Sequence, residues 1–373
     1  MQLLREWFVR RFSNPQVFIL MALVLLGVIA VWAFGDILAP LFAALVIAYL
    51  LEGLVVRLEG FGLPRLLVVS LVFLVFVASL MIMFFGIVPL LTRQVTQLVQ
   101  QVPAFINRLQ TTIETLPEKY PELISPEQIN SFMGSLGDQL GEAGQGLVTQ
   151  TLASISGVIT LLVFLVLVPI LVFFLMKDKH QLIGWFQQFL PKDRHLAISV
   201  WHEVDVQLGN YVRGKALEIF LVGVVSFVTF RFLDLQFAAL LATLVGFSVL
   251  VPYIGAAVVT LPVAIVAFYQ FGWTSQFAWI LGAYGIIQML DGNALVPLLF
   301  SEVVDLHPVA IIVSVLLFGG IWGFWGVFFA IPLATLSSAL LRAIRTGQMA
   351  ANEALSDSDE VVQSGPAESG AQA

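Results

Sequence analysis

The sequence predicts an all-α polytopic membrane protein with about eight hydrophobic segments, broken or re-entrant helical hairpins in its C-terminal half and an external helical segment. Three observations carry this reading. First, the 373 residues are 59% hydrophobic and 11% charged, whereas soluble domains average about 45–50% apolar and about 25% charged. Second, apolar runs long enough to cross a bilayer recur along the chain, and the mean hydropathy is +0.97. Third, the basic residues between those runs alternate as the positive-inside rule requires.

The elements follow in order. Residues 1–16 carry Arg5, Arg10 and Arg11 and read as a cytoplasmic N-terminus. Residues 17–91 hold three transmembrane helices, at Val17–Phe34, Ile37–Val56 and Leu66–Leu91. The first run is longer than a signal-peptide core and a second follows at once, so it reads as a retained helix. The third exceeds what a core of about 30 Å needs, so it tilts or projects from the membrane. Residues 151–176 form a further transmembrane helix, through Leu152–Met176. Arg57 and Arg65 lie between runs two and three, and Lys177, Lys179, Lys192, Arg194, Arg213 and Lys215 follow run four. With Arg342 and Arg345 near the end, this places both termini in the cytoplasm.

Residues 92–150 then lie outside. Their bases are Arg93, Arg108 and Lys119; their acids are Glu114, Glu118, Glu122, Glu127, Asp138 and Glu142. Val95, Leu98, Val99, Val102, Ile106, Leu109, Ile113 and Leu116 recur at helical spacing. A second helix is expected from Ser125, where Pro126 suits the first turn and Gln128 completes a capping box. The pair reads either as a small packed cap or as a lid or oligomer contact.

The connector, residues 177–215, carries the stripe Leu196, Val200, Val204, Leu208 and Tyr211, with Trp185, Phe186 and Trp201 nearby, and suits the membrane surface. His180, His195 and His202 there match no metal-binding spacing. Residues 216–345 form a C-terminal transmembrane half with interrupted helices, opening with Ala216–Phe232. Phe237–Val251 and Ala256–Phe271 flank Pro252-Tyr253-Ile254-Gly255, and Val309–Phe318 and Phe324–Leu341 flank a glycine-rich stretch. Each pair is either two crossing helices or a re-entrant hairpin. Thr274–Leu290 lies between them, and residues 346–373 read as a disordered cytoplasmic tail.

The stretch Ile286–Leu299 places Asp291, Gly292, Asn293 and Pro297 in an apolar setting. At membrane depth such residues mark a helix break lining protein or a water-filled cavity; the competing reading is a polar turn at the cytoplasmic face, continued by Asp305 and His307. Glu218 lies inside the fifth run with Lys215 three residues before it, as a structural ion pair or as a coupling group. Arg231 and Asp234 close the other end of that run. Pro252, Tyr253 and Gly255 are turn or hinge residues facing the pathway. Gly319, Gly320, Gly323 and Gly326, with Trp322 and Trp325, point to close helix packing or a hinge.

The composition excludes several classes. There is no cysteine and the net charge is −7, with no basic stretch to hold nucleic acid. No phosphate-binding loop or hydrolase signature occurs, so neither nucleotide-driven work nor enzymatic catalysis is expected, and no cofactor or metal.

The ordered stretches FFLMKDKHQL, NYVRGKALE, VPYIGA, QMLDGNALVPLLFSEVVDLHPVAIIV and LLFGGIWGFWGVFFAIPLATL resemble the autoinducer-2 exporter (AI-2E) family, and its permeases of the PerM type most, over roughly residues 15–345. The resemblance implies a multi-pass inner-membrane transporter with both ends cytoplasmic, a homo-oligomer, and no enzyme. It implies secondary export of a small polar solute, with an autoinducer-2-like signal or sodium/proton exchange as the range of cargo. Family members often carry glutamate near Asp291, so this chain keeps the charge with a shorter reach. The expected partners are the lipid bilayer and a small-molecule or ion substrate. On the residues, Asp291, Asn293 and Pro297 shape the pathway with Glu218, Pro252, Tyr253 and Gly255. A sodium/proton antiporter using Asp291 and Glu218 is the alternative, and a scaffold binding envelope partners through residues 92–150 is a third.

Overall fold

The computed structural model describes residues 15–114, 155–188, 195–300 and 307–338, and every element among them is helical. The N-terminal arginines, the helix expected from Ser125, Asp305, Arg342, Arg345 and the tail lie outside the described residues. The chain divides into two compact units: Ala39–Lys179 with Asn210–Val303, and Met1–Leu38 with His180–Gly209 and Val304–Ala373.

Helix α1, Pro15–Glu59, carries the first two apolar runs without interruption, although two helices were expected. Only Gly35 and Asp36 separate the runs. A lone helical glycine costs about 1 kcal/mol, too little to end a helix that continues apolar on both sides. Helix α2, Arg65–Ile82, opens after the extended Pro64. It passes through a wide π turn, Met83–Ile87, directly into helix α3, Val88–Glu114. The third run and the start of the expected external segment are therefore one helical rod, with no break at Thr92.

Helix α4 is Ile155–Lys177 and the short α5 is Lys179–Gln187. Helix α6, His195–Phe232, merges the expected connector with the fifth run. Its glycines, Gly209, Gly214 and Gly223, stand singly with no proline beside them, so none ends the helix. Helices α7, Ala238–Ser248, and α8, Ile254–Phe271, form the first hairpin. Helix α9, Ser275–Leu290, runs into a second π turn, Asp291–Leu295, and on into α10, described over Val296–Phe300. Helix α11, Pro308–Phe328, follows, capped by His307 Nδ1, which accepts from the Val309 amide at 3.3 Å.

Among the described residues six helices are long and apolar enough to cross a membrane: Ile37–Glu59, Arg65–Phe105, Thr160–Lys177, Ile254–Phe271, Ser275–Phe300 and Pro308–Phe328. Of the expected segments outside these six, the first run lies inside α1, the fifth lies inside α6, where Lys215, Glu218 and Arg231 dilute the apolar stretch, and Phe324–Leu341 reaches beyond the described residues. Helix α7 has 11 residues and rises about 16 Å, roughly half a hydrocarbon core.

Two apolar clusters lie in the unit formed by Ala39–Lys179 and Asn210–Val303. One joins α1, α2 and α4 through Ala44, Val55, Val69 and Val172. The other joins α6 to α9 through Phe230, Leu241, Val263 and Ile280, and the α3 residues Leu91, Val95 and Leu98 pack onto it. Val95 and Leu98, the first residues of the expected stripe, thus serve the core. Gln94 fixes α3 there by accepting from the Leu240 amide at 2.8 Å, and the Phe105 and Tyr269 rings stand 4.0 Å apart.

Helices in lipid gain little from the hydrophobic effect, so close backbone approach does much of the packing. A Cβ on Gly246 would lie 2.9 Å from the Ile219 carbonyl oxygen and 3.1 Å from the Gly223 Cα, which marks the crossing of α6 and α7. The α7–α8 turn is held the same way. Gly255 sits against the Ser248 carbonyl with no room for a side chain, and Tyr253 takes a positive φ of 63°. In the other unit, α11 bends at Gly323, whose φ is 58°, and Gly326 packs onto the Phe318 carbonyl.

Candidate functional site

On α6, Tyr211, Lys215 and Glu218 fall at i, i+4 and i+7, so they share one face, and Gly214 lies beside them. The Lys215 ammonium donates to Glu218 Oε2 at 2.8 Å, with the two side chains only 5% and 2% exposed. This pair was legible from its spacing; its depth was not. Burying both ions is costly, and the attraction repays it only because the partners are in direct contact in a low dielectric.

The second contribution comes from the α9–α10 segment. Asp291 opens the π turn, is buried, and lies within electrostatic reach of both Lys215 and Glu218. The two predicted carboxylates, 73 positions apart in the chain, are thus brought into one cluster. Among the described residues Asp291 Oδ1 has no hydrogen-bond partner, and neither has Gln288 Nε2, one turn earlier on the same helix. Among the described residues the cluster holds two carboxylates and one ammonium, and that ammonium is already committed to Glu218. A buried acceptor left in this state needs a proton, a cation, a solute or water to satisfy it.

Phe300 of α10 covers the Lys215 side of the cluster. Phe300 is buried, its ring centroid is 5.9 Å from that of Tyr211, and the Lys215 ammonium lies 5.3 Å from the same centroid. Gly214 makes the space: a Cβ there would be 2.8 Å from Phe300 Cε1. Tyr211, Gly214 and Phe300 were not expected at the site. The periodicity of α6 points to the first two, whereas Phe300 is an apolar residue in an apolar run and gives no signal.

The helix break expected around Asp291 is instead a wide turn. Pro297 has no N–H, and its ring crowds the carbonyl four residues back, that of Asn293. A π turn just before it absorbs this conflict while the helix continues. Asn293 Nδ2 donates to the Met289 carbonyl at 2.8 Å, satisfying backbone where the register changes. Both Asn293 and Pro297 are exposed, outside the buried cluster. The other π turn, Met83–Ile87, is likewise followed by Val88-Pro89-Leu90-Leu91, matching Val296-Pro297-Leu298-Leu299.

The remaining candidates lie elsewhere. Pro252, Tyr253 and Gly255 shape the α7–α8 turn, with Tyr253 60% exposed, and no described contact joins them to Asp291. Gly319, Gly323 and Gly326 build the α11 bend, where a Cβ on Gly319 would be 2.8 Å from Val327 Cγ2, whereas Gly320 faces open space. Arg231 and Asp234 form an exposed pair at 3.1 Å. Among the described residues no three His, Asp or Glu side chains group as a metal site.

The chain matches the AI-2E family transporter pattern over residues 18–346. It is 46% identical over 350 residues to PerM of Escherichia coli (strain K12), a permease by name, covering 94% of this chain and 99% of that protein. It is 27% identical over 313 residues to YueF of Bacillus subtilis (strain 168), a transport protein by name, covering 80% and 82%. It is 23% identical over 317 residues to the AI-2 transport protein TqsA of E. coli (strain K12), covering 84% and 88%.

Proposed function

The chain belongs to the AI-2E family of membrane-spanning transporters, and from that premise we propose that it moves a small polar solute across the bacterial inner membrane, with Asp291 as the charged station of its route. The observation that carries this is the buried Asp291 carboxylate, whose Oδ1 has no hydrogen-bond partner among the described residues, within electrostatic reach of the buried Lys215–Glu218 pair. Ionisable groups inside membrane segments are costly and typically mark solute or ion pathways. The short α7 and the α7–α8 turn supply a half-crossing element, with Pro252, Tyr253 and Gly255 at its tip, and Asn293 and Pro297 set the wide turn that places Asp291. Transport is secondary, directed outward, and carried out by a homo-oligomer with both chain ends in the cytoplasm. An autoinducer-2-like signal is the first solute to try, because one relative carries that cargo in its name.

A second reading, sodium/proton exchange, is favoured by the charge balance of two carboxylates against one ammonium. Liposomes containing the purified protein separate the two. Autoinducer-2 release is measured for the wild type and for Asp291→Asn, and internal pH is followed with a dye after a sodium pulse. Solute release that falls in Asp291→Asn supports the first reading. A sodium-driven pH change without solute release supports the second. A variant indistinguishable from wild type in both assays removes Asp291 from any transport role.

A further inference from the structure

We infer that Phe300 is the removable seal of the charged cluster, seated in a notch that Gly214 exists to provide. Three observations converge on this ring. It is buried, although Pro297 and Leu298 just before it on that segment are exposed. It lies over the one ammonium of the cluster and against Tyr211, so it covers the groups whose pairing requires that water stay out. Its seat is made by a missing side chain, since any Cβ at Gly214 would collide with the ring edge at 2.8 Å.

The segment bearing Phe300 also follows a weak point in the helix, the π turn that begins with Asp291. Wide turns of this kind mark functional sites in helices, and here the turn precedes Pro297, which withholds one backbone hydrogen bond. When Phe300 leaves the notch, Asp291 shares the displacement and water reaches Lys215, Glu218 and Tyr211 from that end. Phe300 is a positioning residue: it acts by deciding when the carboxylate is wet. The inference deepens the transport reading by naming how its charged station is closed.

The chain has no cysteine, so a single introduced thiol reports unambiguously. Asp291→Cys serves as the reporter, labelled in sealed vesicles of both orientations with a charged, membrane-impermeant methanethiosulfonate. With Phe300 and Gly214 intact the thiol reacts slowly. Phe300→Ala and Gly214→Ala each raise the rate at least about tenfold, the shift in an opening equilibrium expected when a buried phenyl loses its seat. The rise occurs from one face of the membrane only, which general loosening of the fold would not produce. Phe300→Leu keeps most of the protection. Adding Gly214→Ala to Phe300→Ala gives no further rise, because the added methyl then meets only the Leu299 carbonyl oxygen, at an ordinary contact distance of 3.4 Å.

Unchanged labelling in Gly214→Ala and Phe300→Ala, equal rises from both faces, or multiplicative effects in the double variant overturn the seal. If Phe300→Ala does not accumulate, Gly214→Ala decides the matter, since it displaces the ring without removing it. The transport reading is tested apart, by solute flux in Asp291→Asn with Phe300 present. Normal flux there with raised labelling in Gly214→Ala ends the transport role and leaves the seal.

Discussion

Two ionic clusters in the same unit face opposite requirements. The first ties α1, α2, α4 and α5 together. Arg65 reaches Glu52 and Glu59 at 3.2 Å and donates to the Met176 carbonyl at 2.6 Å, and Lys179 lies 3.5 Å from Glu52. Two cations meet two carboxylates, and every side chain in the set is 13–31% exposed. The second joins α6 to the α9–α10 segment. Lys215 and Glu218 are 5% and 2% exposed, and Asp291 brings a further carboxylate with no cation of its own. A balanced, half-wet cluster is what helix anchoring asks for. A dry cluster with a charge left over costs stability, and such sites are kept where the spare charge has work to do.

Substitutions rank this contrast. The largest loss is expected for Lys215→Met, which strands two buried carboxylates and lowers stability in detergent by about 3–5 kcal/mol; Lys215→Met with Glu218→Leu recovers most of it. Thermal unfolding of the purified variants measures both. If the single variant unfolds like wild type, the second cluster is wetter than described here. Next comes Arg65→Gln, which removes part-exposed ion pairs and one hydrogen bond and costs about 1–2 kcal/mol while leaving flux intact. A loss of flux at preserved stability would make the first cluster more than an anchor. Lys179→Gln, at the wetter edge of that cluster, costs about 0.5 kcal/mol. Smallest is Arg231→Gln, whose pair with Asp234 is 71% and 81% exposed. Its effect stays within about 0.5 kcal/mol and vanishes in molar salt, as melting curves at two ionic strengths would record.

Much of this was legible in the sequence, for reasons that differ by element. The membrane class follows from composition, and the turn between α7 and α8 and the end of α8 fall at Pro252–Gly255 and at Gly272, the α8 C-cap with a φ of 62°, because glycine and proline act locally. Where the runs were split at Gly35-Asp36, at Thr92 and at Lys215, the structure keeps one helix. A single polar residue or glycine changes hydropathy without supplying the backbone geometry that ends a helix. The wide turn at Asp291 was read as a break for the converse reason: proline signals a conflict, and a π turn resolves it without leaving the helix.

The site divides in the same way. Lys215 and Glu218 are neighbours on one helix, so their pairing follows from spacing. That Asp291 completes the cluster depends on how α9 lies against α6, and that Phe300 closes it depends on the absent side chain of Gly214. Neither relation has a local signature. The exposed position of Asn293 and Pro297, with the buried one of Asp291, likewise follows from the phase of the π turn.

The most direct test is autoinducer-2 and sodium flux in liposomes, measured across a pH series for wild type, Asp291→Asn and Arg65→Gln at matched protein content. The account predicts that Asp291→Asn loses flux, or loses its pH dependence, while Arg65→Gln keeps the wild-type profile. Equal profiles for Asp291→Asn and wild type would contradict it.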